Sequence, residues 1–289
     1  MITEVAIPIG LAVIMFAMGL TLTLGDFRRV LERPRAMAVG LLCKMVVLPL
    51  LAFSLVSLFG PRPEFAVGLI ILAACPGGIT ANLLTHLAGG ATALAVSLTA
   101  VTSVVDTLTV PFVVNLALSV FAGQNETVAL PIGRVSGGVF MVATLPLLLG
   151  MSLNRWRPTL AARVERVARP VATLVFALIV VGAFASQWRV MWENAAEVLP
   201  PALLLNAGCM AVAVVLGRLG GLHRRETIAV VLETGLQNGA LGIFVAATLL
   251  GSQAMMVPSI VYALVMNVTA IAFIFVVRRM TRKDACASV

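Results

Sequence analysis

The chain has 289 residues, of which 61% are hydrophobic and 11% charged, against about 25% charged in soluble domains. That composition excludes an ordinary soluble domain, and apolar stretches of roughly twenty residues recurring end to end identify an all-α polytopic membrane protein. The net charge of +8 does not indicate a nucleic-acid partner, because the basic residues alternate with the apolar runs.

In chain order, nine spans are predicted at roughly 5–25, 36–59, 65–88, 92–122, 134–153, 170–186, 199–217, 228–250 and 258–277. The N-terminus carries Glu4 and no basic region ahead of its apolar run, so that run reads as a first span and not as a cleaved signal peptide. The links are short and leave no room for a soluble domain. Positive charge collects in four segments. These are Arg28, Arg29, Arg33 and Arg35; then Arg155, Arg157, Arg163, Arg166 and Arg169; then Arg218, Arg224 and Arg225; and finally Arg278, Arg279, Arg282 and Lys283. Together they hold sixteen of the twenty Lys and Arg residues; Arg62, Arg134 and Arg189 lie on the opposite side, and Lys44 lies within a span. Cytoplasmic loops carry the basic excess. The alternation therefore predicts an outside N-terminus and a cytoplasmic C-terminus. The basic links read as orientation signals and bilayer anchors. Of the four cysteines, Cys43, Cys75 and Cys209 fall in apolar runs, and Cys286 in the tail. With no metal-ligand spacing among them, they read as structural thiols, without a disulfide framework or zinc.

Two spans are interrupted. One holds Cys75-Pro76-Gly77-Gly78-Ile79-Thr80-Ala81-Asn82, the other Glu233-Thr234-Gly235-Leu236-Gln237-Asn238-Gly239. A charge at the bilayer centre costs about 3 kcal/mol or more, and glycine weakens a helix interior, so such residues persist where they bind something. The broken spans are third in a block of four and fourth in a block of five, and they run in opposite directions. That layout predicts an inverted repeat with two crossed discontinuous helices. The first unit covers 1–125, broken at 75–82; the second covers 130–289, broken at 233–239.

Only Lys44, Asp106 and Glu233 place an Asp, Glu, Lys or Arg side chain well inside a span. Lys44 is too deep to snorkel easily. Either it pairs with one acid merely to fix helix packing, or these groups serve ion coupling, the usual role of charge within the membrane. Thr99, Thr102, Ser103 and Asp106 recur every three or four residues and form one polar stripe. Thr102 and Ser103 read as hydroxyls that bond to the preceding turn or hold helices together, and Asp106 is expected towards the outer end of its helix. At the breaks, half-helix N-termini suit a carboxylate or sulfonate, and freed carbonyls suit a cation. Asn82, Gln237 and Asn238 add neutral donors and acceptors along a substrate path, with Met255, Tyr262 and Asn267 shaping the pocket. Gly19, Gly68 and Gly138 suggest close helix packing. An enzyme is not indicated. His86 and His223 are the only histidines, and no catalytic triad, zinc spacing or phosphate loop is present.

Three stretches carry a resemblance: Phe16-Ala17-Met18-Gly19-Leu20-Thr21-Leu22 with Asp26-Phe27, Cys75-Pro76-Gly77-Gly78 with Asn82, and Glu233-Thr234-Gly235-Leu236-Gln237-Asn238. Together they resemble the bile acid:sodium symporter family, over nearly the whole chain. The resemblance implies a core domain around the crossed helices, a panel domain of other spans, and transport of an organic anion by alternating access between them. The family's ten-helix form would here lack its first helix. The resemblance also implies two sodium sites. The first would use positions 81, 82, 95, 99 and 233, where this chain keeps Asn82, Thr99 and Glu233 but has Ala81 and Ala95 in place of hydroxyls. The second would use Glu233, nearby carbonyls, Gln237 and a side chain at position 44, usually an amide and here Lys44. Two like unit charges about 4 Å apart repel by about 4 kcal/mol at an effective dielectric of about 20, roughly a thousandfold in binding. Sodium coupling is therefore expected to be weakened or lost, with Lys44 a surrogate cation or a proton carrier. The expected function is secondary transport of an organic anion (bile-acid-like, pantoate-like or another small carboxylate) without a cofactor. The alternative is a passive channel or ligand sensor on the same frame.

Overall fold

The structure, a computed structural model, describes residues 2–121 and 132–287. The junction between the two predicted repeat units lies outside the described residues, as do the side chains of Glu4, Arg134, Arg282, Lys283 and Cys286. Helices account for nearly all of the rest. They are α1 (Ile2–Gly19), α2 (Leu24–Glu32), α3 (Pro34–Phe59), α4 (Pro63–Ala73), α5 (Ile79–Leu87), α6 (Thr92–Phe121), α7 (132–156), α8 (Pro158–Glu193), α9 (Ala195–Leu219), α10 (Arg224–Gly235), α11 (Gly239–Leu249) and α12 (Val257–Ala287). Six of them are long and apolar enough to cross a membrane. The predicted third and eighth spans are each two half-helices, α4/α5 and α10/α11. Large apolar side chains such as Leu50, Leu108, Phe112, Leu178 and Phe275 are exposed around the bundle, a surface that requires a lipid environment.

Some predicted boundaries move for identifiable reasons. The first span ends at Gly19, and the basic link after it forms the short helix α2, begun by a capping box in which Thr23 N donates to Asp26 Oδ2 at 2.7 Å. The predicted link 154–169 is not a loop. Only Arg157 separates α7 from α8, which runs for 36 residues with its arginine-rich start already helical. Pro158 sits in the first turn, where its missing N–H is not needed, and Arg169 pairs with Glu165 one turn back. Asp106, expected towards a helix end, lies midway along α6 and is buried. Within α3 and α7 the helix widens to a π turn, at Cys43–Val47 and Phe140–Thr144. Each wide turn lies just before a proline, Pro49 or Pro146, whose ring would otherwise clash with the carbonyl four residues back.

Packing divides the helices into two groups. One is α1 with α7 and α8; the other is α3–α6 with α9–α12. Within the first, Gly19 lies against the Leu147 carbonyl; elsewhere Gly68 lies against the Met255 carbonyl and Gly138 against the Leu249 side chain, with no room for a Cβ. Contacts also define two ends of the bundle. At one, Arg33 pairs with Glu226 at 2.6 Å, Arg225 Nε donates to Gly89 O at 3.2 Å, and Arg278 Nη2 donates to Leu87 O at 2.8 Å. These bonds join the first, third and seventh links to the C-terminal basic stretch. At the other end Arg62 pairs with Glu197.

Candidate functional site

The two chain breaks meet. Gly77 and Gln237 form an isolated antiparallel bridge, and Asn238 N donates to Pro76 O at 2.8 Å. The close approach explains one glycine. A Cβ on Gly77 would run into the Glu233 carboxylate, whereas Gly78 has ordinary space around it.

Ending α10 at Gly235 frees the carbonyls of its last turn, which must find other donors when buried. Each does. Glu233 O accepts from Lys44 Nζ at 3.2 Å, and Thr234 O from Gln237 Nε2 at 2.7 Å. Gly235 O accepts from Asn206 Nδ2 at 2.8 Å and Tyr262 OH at 3.1 Å. Lys44 Nζ also donates to Gln237 Oε1 at 2.5 Å. Lys44 Nζ thus sits at the negative end of a half-helix dipole, held by a carbonyl and an amide oxygen, and it issues from the π turn of α3. Its side chain is 3% exposed as a residue.

Next to it, Thr99 Oγ1 lies 2.8 Å from Glu233 Oε1, 3.0 Å from Ala95 O and 3.5 Å from Asn82 Oδ1. Glu233 Oε2 is buried without a hydrogen-bond partner among the described residues. Ala81 and Ala95 are fully buried beside Asn82 and Thr99 and contribute no side-chain oxygen. Lys44, Glu233, Gln237, Thr99 and Asn82 therefore form one connected cluster.

The other predicted site residues are placed differently. Asp106 Oδ1 accepts from Thr109 Oγ1 at 3.2 Å and its Oδ2 has no partner among the described residues, so it is not hydrogen-bonded to Lys44. Thr102 bonds back to Leu98 O. Asn238 caps α11 by accepting from Leu241 N at 3.1 Å, and its amide reaches Met15 Sδ of α1 at 3.5 Å. Asn267 spends its amide on Ala263 O of its own helix and does not join the cluster. Asn206 was not singled out by sequence, yet it ties Gly235, Tyr262 and Thr269 together. An amide in the middle of the apolar seventh span was the signal that could have found it.

Three cavities follow the seam between the two helix groups. One of about 330 Å³ is apolar and includes Ile7, Ile179 and Met256. One of about 300 Å³ includes Thr21, Asn82, His86 and Arg169. Between them, a cavity of only about 40 Å³ is lined by Met18 and Phe176 on one side and Gly78, Thr80, Gln237 and Asn238 on the other. The starts of α5 and α11 both face this central space, which favours an anion there.

Comparison with known proteins adds the following. Residues 8–194 match the model of the Sodium Bile acid symporter family. The chain is 30% identical over 250 residues to a probable sodium/metabolite cotransporter, BASS1, of Arabidopsis thaliana chloroplasts, covering 86% of this chain and 61% of that protein. It is 29% identical over 242 residues to YocS of Bacillus subtilis, an uncharacterized sodium-dependent transporter, covering 83% and 73% respectively. It is 26% identical over 241 residues to the human ileal sodium/bile acid cotransporter, covering 83% and 68%. The chain spans about three fifths of the length of the plant relatives it matches.

Proposed function

The chain belongs to the sodium bile acid symporter family, a family of membrane transporters, and from that premise we propose that it carries a small organic anion across the membrane by alternating access. The observation that supports this most is the meeting of the two chain breaks at Gly77 and Gln237, with Lys44 bonded into the junction. The group α1, α7, α8 acts as the panel and the other helices as the core, and the substrate passes along the seam between them. The half-helix starts at Gly78 and Asn238 supply the anion contacts. Asn82, Thr80 and Arg169 extend a polar lining towards the basic end of the bundle.

A cavity of about 40 Å³ holds a few water molecules and no metabolite, so the seam is pinched at its centre with a wider space on either side. That form supports a carrier over an open pore. The halves 1–125 and 130–289 act as inverted repeats, and the basic end faces the cytoplasm of a bacterial cell, by the positive-inside rule.

Coupling departs from the relatives. Lys44 contacts two acceptor oxygens, Gln237 Oε1 and Glu233 O, within the set of residues where the resemblance places the second sodium site. Lys44 therefore stands as a tethered cation in the second sodium site, and the first site, lacking hydroxyls at Ala81 and Ala95, is degenerate. The protein needs no cofactor, and its transport is driven by the substrate gradient or by protons.

The test is counterflow in proteoliposomes, with short carboxylates as loaded and labelled substrate. Internal substrate accelerating the uptake of external label supports a carrier. Flux that does not saturate and ignores internal substrate would instead identify the passive channel, a reading that the missing hydroxyls favour to some degree.

A further inference from the structure

We propose that the basic end of the core group carries a phosphodiester-binding site, formed by Arg225 and Arg278 with Arg224, and that its occupant is the headgroup of an anionic phospholipid. The three arginines surround a cavity of about 510 Å³ whose floor is the end of α5, at Leu87 and Gly89, together with Ile228 of α10. Backbone carbonyls hold the guanidinium groups in place. Arg225 Nε donates to Gly89 O at 3.2 Å, Arg278 Nε and Nη2 donate to Leu87 O at 3.2 and 2.8 Å, and Arg224 Nη2 donates to Val277 O at 3.0 Å. The acceptors of Arg225 and Arg278, Gly89 O and Leu87 O, carry no full negative charge. Neither Arg225 nor Arg278 is paired with a carboxylate among the described residues, and the adjacent Glu226 is engaged by Arg33.

Two guanidinium groups fixed beside one cavity, those of Arg225 and Arg278, repel one another, and an anion with several acceptor oxygens relieves that repulsion through charge-assisted bonds. The cavity also lies at the first turn of the twelve-residue helix α10, whose dipole adds to the same preference.

A second observation selects a lipid over a free phosphate. On α12, Leu264, Val268, Ile271 and Phe275 are all exposed, and their spacings of four, three and four, then three to Arg278, place them on one face. That apolar stripe runs from the hydrophobic belt of the bundle to the rim of the arginine cavity. An acyl chain can lie along it while the phosphodiester reaches the guanidinium groups, as basic pockets between membrane helices hold acidic headgroups. The occupant would clamp α5, α10 and α12 together. These include one half of each broken helix, so the bound lipid would stiffen the group that carries the crossing.

The experiment uses the purified full-length protein in detergent, with phosphatidylglycerol, phosphatidylcholine or inorganic phosphate added. Thermal unfolding and the lipids retained in native mass spectrometry are both read. Phosphatidylglycerol is expected to raise the unfolding midpoint of the wild type and to be retained in preference to phosphatidylcholine, with little response to phosphate. At roughly fivefold in affinity per arginine near a membrane surface, the double variant Arg225→Gln/Arg278→Gln should bind phosphatidylglycerol about 25-fold more weakly. Arg225→Lys/Arg278→Lys keeps the charge without the fork and should retain part of the response. It also keeps the test valid if the glutamine variant is too unstable to purify. Arg163→Gln/Arg166→Gln, which removes two exposed charges from the same end elsewhere, should respond like the wild type. Equal responses to both lipids, or a full response in the glutamine variant, would overturn the site. So would an equal loss in the Arg163/Arg166 variant, which would mark general surface attraction. A response to inorganic phosphate as large as that to phosphatidylglycerol would overturn the assignment to lipid. None of these readings depends on whether the protein transports an organic anion.

Discussion

Replacing Lys44 with glutamine is the most informative single change. The variant keeps an amide that can donate to Glu233 O and Gln237 Oε1, which lie 3.2 and 2.5 Å from Nζ in the native protein, while removing the charge. Two consequences follow from the geometry. In potassium, the buried Glu233 carboxylate, whose Oε2 has no partner among the described residues, loses a nearby positive charge, and the fold is weakened. In sodium, the vacated oxygens accept the ion, because a repulsion of about 4 kcal/mol, roughly a thousandfold in Kd, has been removed. An ion present at about a hundred times its Kd stabilises the folded state by about 2.7 kcal/mol. At about 2–4 °C per kcal/mol for a chain of this size class, that is a sodium-specific rise of roughly 5–10 °C. The assay is thermal unfolding in detergent with sodium titrated against potassium at constant ionic strength. The wild type should show no difference between the two salts, and Lys44→Gln should show the rise. A selective response to sodium in the wild type would refute the tethered-cation argument and return the protein to ordinary sodium symport. A variant equally indifferent to both salts would show that the oxygens around Lys44 are not a vacated ion site.

Three further predictions concern the same cluster and the seam. Gly77→Ala forces a Cβ into the Glu233 carboxylate; it should destabilise the protein by about 1–3 kcal/mol, as overpacking does, and abolish counterflow even where the chain still folds. Gly78→Ala, where space is ordinary, serves as its control. Thr99→Ala takes away the hydroxyl 2.8 Å from Glu233 Oε1 and leaves both carboxylate oxygens without a side-chain donor among the described residues. It should cost about 1–3 kcal/mol in thermal or denaturant unfolding, and an unchanged midpoint would mean that this hydroxyl does not support Glu233. Arg169→Gln removes the guanidinium that lines the 300 Å³ cavity at the basic end. Its ion pair with Glu165 is exposed and worth no more than about 1 kcal/mol, so stability should scarcely change. KM for an organic anion presented from the basic side should rise about fivefold, the equivalent of a surface contact of about 1 kcal/mol. An unchanged KM would remove Arg169 from the substrate path.

Much of this architecture was legible because a bilayer leaves few options. Runs of apolar residues must be helices, and polar or glycine-rich interruptions within them are costly enough to mark the breaks at 75–82 and 233–239. The arginine clusters likewise separated the two ends of the bundle, and Lys44, Glu233, Thr99, Asn82 and Gln237 were recognisable as polar exceptions in apolar surroundings. What was not legible is which exceptions touch. Asp106 and Asn267 look as exceptional in sequence as Lys44, yet one bonds to Thr109 and the other to its own helical turn. Asn206 drew no notice among its apolar neighbours, although it secures a carbonyl that the second break sets free.

The sequence by itself thus determined the helical class, the two breaks and the set of polar residues available, because each depends on local hydropathy and backbone chemistry along one segment. Only the tertiary structure decided that Gly77 lies against Glu233, that Lys44 reaches the end of α10, and that three arginines gather over α5. Those pairings depend on crossing angles, on π turns that shift the facing of a helix, and on distances between segments up to 191 residues apart in the chain, which no local pattern encodes.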